Sequence, residues 1–338
     1  MTKADNNIFT TEHQLSSRYV DEIAHFWQQG NFSHFSGIDN VRINYATFIN
    51  TTGIMPSKCL VISSGRSESY LKYKELSFDL FNNGYSIFLI DHRGQGLSEH
   101  LLANVHKGHI DNFQYYVDDL TSFIENIVTP HCQGSKPYLL AHSMGAAIGA
   151  RYLQDFPNKI QAAVLSSPMF GFNSGSVPEF IAESALKISA QLNQWFDDTP
   201  WYFPGHKDFS HNAFSDNILM HSPIRYQIFS QLYNTTPEIQ LGGVTVYWLT
   251  ESQKALDKIF NNIDKITAPT LVLQAGQDKI IKNQAQNDFC QQLHLLQPHS
   301  CPNGKPLIID DAYHELFFES DVYREQALNA VMEWFEKH

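Results

Sequence analysis

The chain has 338 residues, 43% hydrophobic and 17% charged, which supplies a sizeable core and is too apolar for a disordered chain. Asp and Glu outnumber Lys and Arg by 35 to 23, for a formal net charge of −12. That balance excludes a nucleic-acid phosphate binder, which needs clustered cations, and docking on anionic lipid by bulk charge.

The N-terminal stretch MTKADNNIFTTEHQ has no apolar h-region, and no apolar run reaches the ~18 residues of a membrane span. The expectation is a cytoplasmic protein without signal peptide or transmembrane helix. VRINYATFI (41–49) alternates as a half-buried strand, and KCLVIS (58–63) is a short buried one. The spacing from Tyr70 to Asn82 predicts a helix, ended by Gly84. YSIFLI (85–90) is the next strand and runs into DHRGQG; NFQYYVDDLTSFIENIV (112–128) has helical spacing. PYLLA (137–141) is a strand, followed by the sharp turn HSMG and the helix AAIGARYLQDF. IQAAVLSS (160–167) is a strand closed by Pro168. Much later LVLQA (271–275) and PLIID (306–310) resume the pattern, and helices follow each, ending with VYREQALNAVMEWFEKH.

Strand alternating with helix implies parallel strands joined by crossover helices. The fold class is therefore α/β, a mostly parallel doubly wound sheet, with ligands at the carboxyl ends of its strands. The rhythm breaks between about Met169 and Lys265, an aromatic-rich, strand-poor stretch. Residues 1–168 and 266–338 are read as one core, and 169–265 as a mainly helical cap inserted into it. Within the cap Ile181, Ala185, Ile188, Leu192 and Trp195 recur at helical spacing. Two roles are open for this stripe: substrate contact, lining an acyl tunnel or touching a bilayer, and ordinary cap–core packing.

The chemical signal is Ala141-His142-Ser143-Met144-Gly145 between a strand and a helix. It differs from the nucleophile elbow G-x-S-x-G only by Ala141 in the first position. The outer residues must be small where strand and helix pack around the turn. Ser143 then sits exposed at a helix N-terminus, where free N–H groups favour a developing anion. A serine nucleophile needs a base, and the base an orienting acid. Asp278 follows the strand LVLQA and His314 follows PLIID, so both lie at the carboxyl edge with Ser143. Asp288 lies within a helix, and Asp310 and Asp311 are too near His314 in sequence to serve as the acid. His142 points the wrong way for a base and is assigned to packing or a hydrogen bond. Two backbone N–H groups are expected to hold the oxyanion, those of Met144 and of Arg66 in Ser63-Ser64-Gly65-Arg66.

DHRGQG lacks both GxGxxG spacing and the Lys-Ser/Thr of a P-loop, so it reads as a turn bracing the floor near the nucleophile. His106 and His109 have no second cluster to complete a zinc site and are assigned to loop hydrogen bonds. No metal or organic cofactor is called for. The four cysteines, Cys59, Cys132, Cys290 and Cys301, form no CxxC pair and read as free thiols, with a Cys290–Cys301 bridge as the alternative.

GRSESYLKYKEL, DHRGQGLS, YVDDL, AHSMGA and the GQD…YHE ends together resemble the α/β-hydrolase serine lipases, the branch that includes monoacylglycerol lipases. Within that branch the chain is most similar to bacterial lysophospholipases of the L-two type. The resemblance runs from about His25 to the C-terminus and is weakest around residues 175–240, in the cap. Where lipases carry H-G-x-G this chain has Ser64 in the first position and Arg66 in the third. The lysophospholipase type also carries Gly-Arg there.

The resemblance implies hydrolysis of the acyl ester of lysophospholipids and peripheral association with the bacterial inner membrane. A monoacylglycerol lipase or general carboxylesterase is the alternative. An epoxide hydrolase or dehalogenase needs a carboxylate where Ser143 stands. Two roles are open for the Arg66 side chain: a contact for the lipid phosphate, and a local ion pair with Glu68 or Glu75.

Overall fold

The computed structural model describes residues 9–51, 58–173 and 179–338, without the side chains of 179–183. Two helices, α1 (Glu12–Val20) and α2 (Glu22–Gln28), precede a hairpin of β1 (Asn31–Ser36) and β2 (Arg42–Phe48). Then β3 (Lys58–Ser63), α3 (Lys74–Asn82), β4 (Tyr85–Ile90), α4 (Gln114–Phe123), β5 (Tyr138–His142), α5 (Met144–Asp155) and β6 (Ala163–Ser166) alternate. Three helices follow: α6 (Glu179–Phe196), α7 (Pro223–Thr235) and α8 (Val246–Asn261). The alternation resumes with β7 (Thr270–Ala275), α9 (Asn283–Leu296), β8 (Leu307–Ile309) and α10 (Asp321–Lys337).

The strands form one eight-stranded sheet in the order β1-β2-β4-β3-β5-β6-β7-β8. β2 runs antiparallel to β1 and β4, and the pairs from β4 to β8 are parallel. The central strands are buried on both faces, as crossover helices require. Their residues alternate sides. Phe88, Ile90, Leu139 and Leu165 join a core with α4, α5, α8 and α9; Ile87, Leu89, Leu140 and Val164 join one with α3 and α10. Each such side chain contributes about 1.5–3 kcal/mol by leaving water.

The expected strands fall where the periodicity places them. β1 is the exception. NFSHFS is largely exposed at the sheet edge and pairs only with β2, so it carries no apolar alternation to read. The helix expected from Tyr70 begins as a 3-10 turn over Tyr70–Tyr73. Within the stretch between β6 and β7, α8 packs against α5, with Ala255, Leu256 and Ile259 in the core. α7 instead lies on α1 and the 3-10 turn, and its Arg225 pairs with Glu75 and Asp321, each at 2.9 Å.

The reading of four free thiols is overturned. Cys59 and Cys132 are bridged, with Cα atoms 5.6 Å apart, while Cys290 and Cys301 are free and buried. The bridged pair is 73 residues apart in sequence, brought together because α4 and the turn after it pack on β3.

Candidate active site

The turn from β5 to α5 holds Ser143 at φ 51°, ψ −116°, a conformation disfavoured for a side chain of this kind. Ser143 N–H donates to Ser166 O at 3.0 Å, and Ser143 O accepts from Ala146, Ala147 and Met169 N–H at 3.1–3.2 Å, so the neighbouring strand and helix impose it. Gly145 is required by close approach. A Cβ there would lie 2.3 Å from Ser63 O and 2.4 Å from Ser64 O. The end of β3 therefore rests on the first turn of α5, which carries the Ser64–Arg66 loop to Ser143.

His314 Nε2 lies 3.0 Å from Ser143 Oγ, and His314 Nδ1 lies 2.6 Å from Asp278 Oδ2. The other Asp278 oxygen accepts the Ile280 and Ile281 N–H groups at 2.8 and 3.0 Å. The acid is thus fixed by the backbone of its own loop. Burial works against the charged forms of both groups, yet the Asp278 bond and charge, aided by Glu315 and Glu68, raise the His314 pKa. Burial likewise opposes the Asp278 charge, but His314 and the two N–H bonds hold its carboxyl below the usual range. A serine, a base and a buried acid in this chain of hydrogen bonds can activate a hydroxyl and carry its proton.

Among the described residues, neither the Arg66 nor the Met144 N–H has a protein acceptor. The loop that presents Arg66 is tied on both sides. Gly65 N–H donates to Glu68 Oε2, and Gly65 O accepts from Gln95 Nε2 at 2.7 Å. Gln95 Oε1 in turn accepts the Ser67 N–H at 3.2 Å. The DHRGQG turn is therefore the brace of this loop. Its Asp91 accepts from Ser69 Oγ and the Tyr70 and Leu97 N–H groups, and burial pushes its pKa up to about 7. Gly96 at φ 60° leaves room for that carboxylate, since a Cβ would lie 2.2 Å from Asp91 Oδ2.

Sequence reasoning missed a buried charge cluster behind His314. Lys72 Nζ contacts Glu68 Oε1 and lies 2.8 Å from Glu315 Oε2, with all three side chains nearly inaccessible. His142 Nε2 is 3.4 Å from the same Glu315 oxygen, and its ring packs on His314 at 4.9 Å. This fits the packing role expected of His142. Burial lowers its pKa, against the opposing pull of Glu315 and Glu68. Glu68, His142 and Glu315 are the one group among the described residues with metal-ligand spacing, but the Lys72 ammonium already lies against both carboxylates. The available signal was the Glu68–Lys72 spacing of four and the acid immediately after His314. Neither shows in sequence that the two segments meet.

The Arg66 guanidinium makes no ion pair with either expected carboxylate. Glu68 is taken by Lys72 and Tyr73, and Glu75 by Arg225. Instead Arg66 Nη1 donates to Gly242 O at 2.8 Å, and its Cζ lies 6.0 Å from the Trp248 ring centroid. In the α6 stripe, Ile188 is 60% and Trp195 69% exposed, and the Ile181 side chain falls outside the described residues. His109 bonds Thr245 and Asp111 at 3.0 and 3.1 Å, as a loop histidine does.

The family described as "Serine aminopeptidase, S33" matches residues 55–321. The chain belongs to that hydrolase family. It is 36% identical over 329 residues to "Lysophospholipase L2" of Escherichia coli, spanning 97% of this chain and 94% of the relative. It is 32% identical to "Probable lysophospholipase L2" of Haemophilus influenzae, over 94% and 95% of the two chains. Among solved structures, a monoglyceride lipase of Saccharomyces cerevisiae superposes with a TM-score of 0.68, covering 91% of this chain and 94% of that one. At 17% identity that likeness establishes the α/β-hydrolase fold alone.

Proposed function

We propose that this family member is a serine carboxylic-ester hydrolase that removes the acyl chain of lysophospholipids. The reading rests on the Ser143–His314–Asp278 hydrogen-bond chain in a protein 36% identical to a lysophospholipase over nearly its whole length. Ser143 Oγ attacks the ester carbonyl carbon and passes its proton to His314 Nε2. The Arg66 and Met144 N–H groups hold the oxyanion, an interaction made fully only in the transition state. The C–O bond to glycerol breaks, and His314 returns the proton to the departing glycerophosphodiester. Water then attacks the acyl-enzyme with His314 as base, releasing the fatty acid. Asp278 keeps the Nδ1–H tautomer and stabilises the imidazolium.

The stretch 169–265 serves as cover and membrane contact, with α6 as its outer element. Ile188, Leu192, Trp195 and Phe196 are 60%, 38%, 69% and 74% exposed, which supports bilayer contact rather than an enclosed acyl tunnel. At a net charge of −12 such contact is apolar and local. No helix among the described residues is long and apolar enough to cross a membrane.

The deciding experiment is turnover of lysophosphatidylethanolamine, a monoacylglycerol and an acyl thioester by wild type and Ser143→Ala, with a fluorophosphonate probe. Wild type should take the probe on Ser143 and favour the lysophospholipid; Ser143→Ala should do neither. A preference for the monoacylglycerol would replace this substrate assignment with the lipase one. An unlabelled Ser143 in folded protein would end the serine-hydrolase reading.

A further inference from the structure

Most buried cations in the described residues face carboxylates. Arg93 grips Asp119 at 2.6 and 2.8 Å, Arg225 reaches Glu75, Arg324 reaches Asp79 at 2.8 Å, and Lys72 lies against Glu68 and Glu315. Arg66 does not. Its side chain makes one hydrogen bond, to Gly242 O, and leaves its other N–H donors without a protein acceptor among the described residues. It lies between the oxyanion loop and the segment leading into α8, against Gly108, Trp248 and the Gly242 carbonyl. Burial pushes its pKa down, and the groups that oppose this are the Tyr116 and Tyr233 phenols, not acids. Burial and Arg66 itself lower the pKa of nearby His206, whose Nδ1 accepts the Val244 N–H at 2.9 Å. An acidic protein has thus left one partly buried guanidinium, on the oxyanion loop, without a counter-charge among the described residues. A guanidinium taken out of water without a counter-charge is costly unless an anion arrives.

We infer that the Arg66 guanidinium is the receptor for the phosphodiester of the substrate head group. This rests on the lysophospholipid reading above and assigns the residue that makes it selective. The reach fits. In a 1-acyl lysophospholipid, the ester carbonyl carbon and the phosphorus are separated by the same number of covalent bonds as the Arg66 backbone nitrogen and its Cζ. A substrate whose oxyanion sits on the Arg66 N–H is therefore long enough to bring its phosphate to the planar fork. The fork offers two parallel donors to phosphate oxygens. A neutral glycerol head leaves those donors unpaired, the situation that makes a polar site reject an analogue.

The test compares wild type, Arg66→Met and Arg66→Lys in two independent arms. Fluorophosphonate labelling of Ser143 in each variant verifies an intact site. In the first arm, kcat/KM is measured for lysophosphatidylethanolamine and for a monoacylglycerol of the same acyl chain. The ratio of the two should fall by about 10–100-fold in Arg66→Met, mainly through KM, and by less in Arg66→Lys. An equal loss on both substrates overturns the proposal. In the second arm, hydrolysis of a short neutral p-nitrophenyl ester is inhibited with glycerophosphoethanolamine, inorganic phosphate or glycerol. The diester should inhibit wild type best, and Arg66→Met should lose that inhibition by at least about 10-fold. Inhibition by glycerol equal to that by the diester, or unchanged inhibition in Arg66→Met, overturns it. Inorganic phosphate acting as strongly as the diester overturns the diester assignment. If wild type fails to turn over lysophospholipid at all, the proposed function falls, while the second arm still decides the role of Arg66.

Discussion

The two flanks of Ser143 are built on opposite rules. On the His314 side every buried charge has a partner: Asp278 with His314, Lys72 with Glu68 and Glu315. On the Arg66 side the guanidinium has, among the described residues, a single carbonyl and no acid. A fully paired flank is rigid and pre-set, which suits proton transfer between fixed atoms. An unpaired flank is incomplete until something charged enters, which suits recognition.

The largest effect should come from breaking the paired flank at its acid. Asp278→Asn keeps the shape but favours the wrong His314 tautomer, and kcat should drop by about 10,000-fold. Single-turnover kinetics on the neutral p-nitrophenyl ester measures this. A drop of less than about 10-fold would remove Asp278 from the proton relay.

Next in size is Lys72→Met, which leaves the Glu68 and Glu315 carboxylates facing one another in the interior. Breaking a buried pair from one side costs about 3–5 kcal/mol, so the urea midpoint should fall accordingly. An unchanged midpoint would mean that the cluster contributes little to folding.

A subtler change is Glu315→Gln. The charged or titratable groups around His314 are Asp278, Glu315, Glu68, Lys72 and His142, and the acids among them raise its pKa. His314 must be neutral to accept the Ser143 proton, so activity rises as pH climbs through that pKa. Removing the Glu315 charge lowers the pKa, and the acid limb of the kcat/KM profile should move to lower pH. A limb that stays in place would confine Glu315 to a structural role. Finally, thiol titration of unfolded, unreduced protein should detect Cys290 and Cys301 alone, and four reactive thiols would argue against the Cys59–Cys132 bridge.

Much of the frame was legible in the chain itself. YSIFLI and KCLVIS are strands over the same residues in sequence and in structure, because apolar runs of that length between turn residues have few other solutions. The elbow was legible because a serine between a strand and a small-residue helix has one geometry, and Ala141 does not disturb it. β1 was not legible, since an exposed edge strand has no buried face to pattern. The Cys59–Cys132 bridge and the Lys72 cluster were not legible either. Each joins segments far apart in sequence, and no local periodicity encodes a long-range contact.

The order Ser143, Asp278, His314 along the chain, each at the end of a strand, was determined by sequence alone. Strand ends in a parallel sheet share one edge, so convergence of the three followed. What only the tertiary structure decided is the charge each group meets there. Glu68 and Glu75 are both near Arg66 in sequence, yet Lys72 and Arg225 take them. The physical reason is that buried ion pairs form between the segments that packing brings together. Arg66, beside Gly242 and Trp248, is left without one among the described residues.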